Sequence, residues 1–225
     1  MKWTVLENPD EVARNACVRI LQISKRAIAR RGAFHIVLAG GSTPEKTYEM
    51  LSEADSDWHK WHIWFGDERC LPVGHPERNS VMVERALTSR VAIPSEQVHI
   101  IHAEKGPETA AKHYAELLEA VPLFDMVLLG MGEDGHTASL FPEYEYPEGK
   151  TVLPVYDAPK FPAERVSLSV EMLSQCRYLL FIITGKGKSA AVSRWQQGEI
   201  LPVSMIRGIE KTEALIDKAV SIDTE

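Results

Sequence analysis

The sequence predicts an α/β fold: a mostly parallel sheet with helices on both faces and a ligand site at the carboxyl-terminal edge of the strands. Two observations carry this expectation. Segments of helical periodicity alternate with short apolar runs. Such alternation implies right-handed crossovers between parallel strands. Polar, Gly-rich segments follow several of the apolar runs, which is where open α/β sheets bind ligands.

Asp10 to Arg31 reads as the first helix, with Val12, Ala16, Ile20, Ile23 and Ala27 at helical spacing. Pro9-Asp10 suits its start and Gly32 its stop. Phe34 to Ala39 reads as a buried strand, Pro44 to Leu51 as a helix and His62 to Phe65 as a second strand, followed by a long loop. Asn79 to Leu87 is expected to be helical and Val98 to Ile101 to be a third strand. Glu108 to Val121 reads as a helix and Asp125 to Leu129 as a fourth strand, followed by a loop reaching to about Pro162. Arg165 to Ser169 and Tyr178 to Thr184 are further strands, Lys188 to Gln196 is helical, and Glu213 to Ile216 closes the pattern. No internal repeat interrupts it, so residues 1–225 are expected to form one domain.

Composition narrows the function classes. Hydrophobic residues at 44% and charged residues at 25% are those of a globular protein able to bury its own core. The net charge of −7 argues against general nucleic-acid binding, although local donors can still hold an anionic small molecule in a cleft. No apolar run approaches the ~20 residues of a membrane span, and the N-terminus shows no leader pattern. Cys17, Cys70 and Cys176 are odd in number and far apart, which fits a reducing cytoplasm rather than a disulfide framework. Cys70 has no His partner in sequence and reads as a packing residue.

Four strand-end loops carry the candidate chemistry. Gly40-Gly41-Ser42-Thr43-Pro44 joins a strand to a helix, with Ser42 or Thr43 as cap and helix amides open to a phosphate. An ordinary well-capped turn would look the same. Gly66-Asp67-Glu68-Arg69 puts three consecutive charges at a strand end. Lys188, in Thr184-Gly185-Lys186-Gly187-Lys188, suits a phosphate contact but lacks P-loop spacing. The segment Gly130 to Ser139 formally matches a dinucleotide pattern, but Pro142 and Pro147 soon interrupt the helix such a pattern should open. Its informative part is Asp134-Gly135-His136, a carboxylate close enough to orient an imidazole as a general base. His59/His62 and His99/His102 have ligand-like spacing, but on strands such positions face apart and no carboxylates complete a metal set.

Together these stretches resemble the 6-phosphogluconolactonase family of the glucosamine/galactosamine-6-phosphate isomerase superfamily. The resemblance rests on Leu38 to Pro44, Gly66 to Arg69, Gly130 to Pro142, Arg165 to Ser169 and Thr184 to Lys188, in family order over nearly the whole chain. It implies a Rossmann-like fold and hydrolysis of 6-phospho-D-glucono-1,5-lactone, with no metal and no cofactor. It also implies that His136 is the catalytic base and Asp134 its partner. Substrate or phosphate contacts are implied at Gly40, Gly41, Ser42, Thr43, Asp67, Arg69, Arg165 and Lys188. Arg78 departs from the family pattern, in which serine often precedes Asn79.

An amino-sugar-phosphate isomerase-deaminase on the same scaffold is the rival enzyme. That family typically carries an acid after its histidine turn, where this chain reads Ser139-Leu140-Phe141-Pro142. A non-catalytic sugar-phosphate sensor would keep the phosphate turn but has no need of the Asp134-His136 pair.

Overall fold

The computed structural model describes residues 1–121 and 123–220. Its strands are β1 (Lys2–Leu6), β2 (Phe34–Leu38), β3 (Trp61–Phe65), β4 (Asp67–Arg69), β5 (Phe124–Leu129), β6 (Val152–Val155), β7 (Arg165–Leu168), β8 (Cys176–Ile183) and β9 (Lys211–Asp217). Its helices are α1 (Pro9–Arg31), α2 (Ser42–Ser52), α3 (Asn79–Val83), α4 (Pro107–Leu118), α5 (Val170–Ser174), α6 (Ser189–Gln196) and α7 (Pro202–Met205).

Six strands form a parallel sheet in the order β1-β9-β8-β5-β2-β3. The connections from β1 to β2 and from β2 to β3 cross the sheet in one direction, and those from β3 through β9 cross it in the other. Right-handed crossovers therefore put these two groups on opposite faces. Covering on both faces explains why every residue of β5 is buried. The order reverses between β2 and β5, which are neighbours. Chains leaving those two strands diverge, and a crevice opens at their carboxyl ends.

Local chemistry fixes the helices. Asn8 caps α1, its Oδ1 accepting from the Glu11 N–H at 3.0 Å, with Pro9 in the first turn. Gly32 ends the helix with φ of 83°, as its place in the sequence suggests. On α2, the buried Tyr48 hydroxyl bonds both the N–H and the C=O of Ala39, at 3.0 and 2.9 Å. That pair ties the helix to the end of β2 and fixes the turn between them.

Several elements differ from the sequence reading. Val98 to Ile101 is not a strand: it makes one bridge, Val98 to Ile63, between single helical turns at Ser95–Gln97 and Ala103–Lys105, which leave no room for a ladder. Arg165 to Leu168 is a strand but lies outside the main sheet. It is the centre of a small antiparallel sheet, β4-β7-β6. Alternating polar and apolar residues do not reveal which sheet a strand joins. The charged segment Asp67–Arg69 is itself strand β4 rather than loop, and Val152–Val155, in the segment read as a loop, is β6. The edge strand β1 lies in a segment the periodicity left unassigned. The helix expected from Asn79 to Leu87 divides into α3 and a π-helical turn at Glu84–Thr88. Among the described residues no helix is long and apolar enough to cross a membrane.

Of the histidines with ligand-like spacing, His62 and His99 pack in a stack with His35 and Trp64. The His35 and His62 rings lie 4.3 Å apart, His62 Nδ1 approaches His99 Nε2 at 3.4 Å, and His99 stacks on Trp64 at 3.8 Å. Burial, then the neighbouring His62 and His35, push the His99 imidazole down to about 4. A histidine held below its ordinary value of about 6.5 contributes stability above that pH and loses it as pH falls toward the folded value. Chemical denaturation between about pH 7 and pH 4 is expected to show falling stability on acidification. In His99→Phe, which keeps the ring stack, the slope is expected to be shallower.

Candidate active site

The four loops singled out in the sequence meet at the carboxyl edge of the sheet. They enclose a cavity of about 240 Å³ at the crevice between β2 and β5. Gly40, Gly41, Ser42, Thr43, Asp67, Arg69, His136, Arg165 and Lys188 all line it. Asp134 does not line it and stands behind His136.

The turn after β5 builds the acid–base pair. Asp134 Oδ1 lies 2.5 Å from His136 Nδ1 and also accepts the His136 backbone N–H at 3.1 Å. One carboxylate oxygen thus fixes both ring and peptide. Gly132 makes the compact turn possible: a Cβ there would stand 2.0 Å from His136 Nδ1 and 2.5 Å from Asp134 Oδ1. On its other side the His136 ring packs against Phe141, centroids 4.8 Å apart. Burial lowers the His136 pKa, with Asp134 opposing. Burial alone would raise Asp134, but the hydrogen bonds and charge of His136 outweigh it and hold the carboxyl low. The pair therefore favours a neutral imidazole with its proton on Nδ1, which leaves Nε2 with the lone pair.

The start of α2 supplies anion donors. Gly41, with φ of 112°, occupies the cap position and no side chain bonds the first turn. This corrects the expectation that Ser42 or Thr43 caps the helix: both already lie within it. Thr43 Oγ1 instead pairs with Thr184 Oγ1 at 2.7 Å, joining the ends of two loops. The opening amides and the positive end of the helix dipole face the cavity without a capping oxygen. Lys188, at the start of α6, lines the same cavity. Burial lowers its pKa and Glu133 opposes that.

The small sheet brings in the remaining charges. Arg165 donates from Nε to Pro162 O at 3.0 Å and from NH2 to Lys160 O at 2.8 Å, with its guanidinium 5.6 Å from the Phe141 ring centre. Arg69 donates to Glu77 O at 2.5 Å, while its buried Nε has no partner. Asp67 is buried and accepts from Ser139 Oγ at 2.7 Å and Asn79 Nδ2 at 2.9 Å. Glu68 points the other way, into protein, accepting backbone N–H groups of Arg69, Asn79 and Ser80. Alternation along β4 therefore gives one acid to the cavity and the other to the scaffold.

The family described as glucosamine-6-phosphate isomerases/6-phosphogluconolactonase matches residues 7–215. The chain belongs to that family. It is 35% identical over 231 residues to a 6-phosphogluconolactonase of Streptomyces coelicolor, covering 92% of this chain and 88% of that one. It is also 35% identical to a human 6-phosphogluconolactonase, covering 79% of this chain and 75% of the relative. The crystal structure of a 6-phosphogluconolactonase from Thermotoga maritima superposes with a TM-score of 0.88 at 32% identity, over 96% of this chain and 99% of that one.

The family's name spans two chemistries, so the side chains must separate them. Arg78, where the chain departs from the family pattern, is buried and bonds Glu104, Leu71 O and Ile101 O. It ties the loop after β4 to the segment that carries Ile101 and Glu104. Cys70 packs against the core, as expected. Asn79 and Thr184 also line the cavity, beyond the substrate contacts that the resemblance implies. Thr184 was within reach of the strand-end rule, since it follows β8 directly, whereas a lone Asn at a helix start carries no such signal.

The closeness of Gly132 to His136 has a spectroscopic consequence. In the unaltered protein the Nδ1 proton held by Asp134 is expected as a strongly deshielded, slowly exchanging NMR resonance. Gly132→Ala and Asp134→Ala are each expected to abolish it with the fold retained. Its persistence in Gly132→Ala would contradict the geometry.

Proposed function

We propose that this protein hydrolyses 6-phospho-D-glucono-1,5-lactone to 6-phospho-D-gluconate in the oxidative pentose phosphate pathway. We read residues 1–225 as one cytoplasmic domain acting on this phosphosugar lactone. The observation that carries the reading is the Asp134-held His136 facing a cavity that Arg69, Arg165, Lys188 and the start of α2 also line. The 6-phosphogluconolactonases among its relatives support it.

The chemistry follows from the groups present. A lactone is an ester, and water must attack C1. His136 Nε2 takes a proton from that water as its oxygen bonds to C1, and Asp134 stabilises the imidazolium. The carbonyl oxygen becomes an oxyanion that needs a donor, worth ~3–4 kcal/mol. Arg69 and the turn at Gly130–Gly132 both line the cavity, but the Gly132 amide already donates to His136 O at 2.8 Å, so Arg69 is the better donor. The bond from C1 to the ring oxygen then breaks, and His136 returns its proton to that oxygen. Ser42, Thr43 and Lys188 would hold the phosphate, which contributes orientation rather than chemistry. Asp67 would accept sugar hydroxyls. No step calls for a metal or a cofactor.

Phe141 favours this reading over isomerase-deaminase chemistry. The position after the histidine turn holds an apolar ring against His136 rather than an acid that would open a sugar ring.

The direct test is release of 6-phosphogluconate from freshly made lactone through a coupled dehydrogenase, with spontaneous hydrolysis subtracted. A rate proportional to enzyme is expected, and a rate no higher than background would refute the proposal. His136→Ala should lower turnover by about 10²–10⁴-fold while binding of 6-phosphogluconate persists. Lys188→Ala should act chiefly on KM, and a collapse of kcat at constant KM would remove Lys188 from phosphate binding. The base works only when neutral, and His136 titrates below its usual range because it is buried. The kcat/KM profile is therefore expected to be flat above about pH 6.5 and to fall on the acid side of it.

A further inference from the structure

Asn79 connects three parts of the site that lie far apart in sequence. Its Nδ2 donates to Asp67 twice, to Oδ1 at 2.9 Å and to the backbone O at 2.9 Å. Its Oδ1 fills the space where a Gly40 Cβ would be, 2.1 Å from that point. Its own N–H is held by Glu68 Oε1 at 2.7 Å, and the same carboxylate takes the Ser80 N–H at 2.8 Å and the Arg69 N–H at 2.9 Å. Glu68 is fully buried and does not line the cavity. Asn79 thus occupies a slot bounded by the turn after β2, the carboxylate on β4 and the start of α3.

Resting on the lactonase reading, we propose that Asn79 is a positioning residue that sets the Asp67 carboxylate against the Gly40 turn, and that Glu68 seats Asn79. Asp67 has two oxygens and, as a carboxylate, only accepts. Asn79 and Ser139 each donate to one of them, which fixes the rotation of the group and leaves its remaining lone pairs toward the cavity. Without Asn79 the carboxylate keeps one anchor and can rotate away from the hydroxyls it would accept. Gly40 belongs to the same device. An alanine there would displace the Asn79 amide, although Gly40 does not itself require a positive φ.

This linkage makes the prediction non-additive. Asn79→Ala keeps the backbone N–H that Glu68 binds, so the fold should survive. It should lower kcat/KM for the lactone about 10-fold, the value of one charge-assisted hydrogen bond, and weaken 6-phosphogluconate binding to match. Gly40→Ala should have a similar effect alone and none in the Asn79→Ala background, where the obstructing amide is gone. Glu68→Gln should add little to Asn79→Ala in kinetics, although it also lowers the melting temperature. Multiplying effects in the Gly40/Asn79 double variant, or unaltered kinetics in the single ones, would overturn the proposal. If the unaltered enzyme turns over lactone while the cycle is additive, the network fails and the lactonase reading stands. If it binds 6-phosphogluconate but releases none from lactone, the reading fails, and the same cycle read by calorimetric binding of 6-phosphogluconate decides the network. Failure to bind that product at all would overturn both.

Discussion

The reversal of strand order between β2 and β5 is the constraint on which the rest depends. A parallel sheet wound in one direction leaves its loops lying side by side. Here the connections leave toward opposite faces, and the gap between them is the cavity. Three loops from the main sheet reach it directly: the Gly40 turn from β2, the Asp134-His136 turn from β5 and the Thr184-Lys188 segment from β8. The small antiparallel sheet then closes the remaining side with Asp67, Arg69 and Arg165. The fold supplies position, and the chemistry comes from short segments placed at one edge.

Glycine and burial divide the remaining work. Gly132 and Gly40 are the sites where a side chain would strike functional groups, His136 in one case and Asn79 in the other. Both allow polar side chains to approach the backbone closely. Burial has opposite uses at the two ends of the sheet. In the cavity it keeps His136 neutral and ready to accept a proton. At the starts of β2 and β3 it keeps the His35–His62–His99 stack neutral, where the rings serve packing.

Much of this was legible in the sequence because the signals were local. Helix α1 declares itself through Pro9, a clear period and Gly32, and the Asp134-Gly135-His136 turn carries both its partners within three residues. What escaped depends on contacts distant in sequence. Nothing within Arg165 to Leu168 says that it pairs with Asp67–Arg69, almost a hundred residues earlier. The paired roles of Asp67 and Glu68 depend on which faces the cavity, and that follows from their being a strand at all. Asn79 matters through Gly40, Asp67 and Glu68, none of which neighbours it in sequence. Val98 to Ile101 shows the opposite failure: an apolar run with strand character and no room for a ladder.

The central claim is a site with two ends, phosphate at the start of α2 with Lys188 and ester carbon at His136 with Arg69. A crystal structure of the His136→Ala enzyme soaked with 6-phosphogluconate tests it most directly. The account predicts the phosphate on the Ser42 and Thr43 amides, with the C1 carboxylate at the vacated imidazole position and within hydrogen-bond reach of Arg69. A reversed ligand, with its phosphate beside residue 136 and its carboxylate at α2, would contradict it.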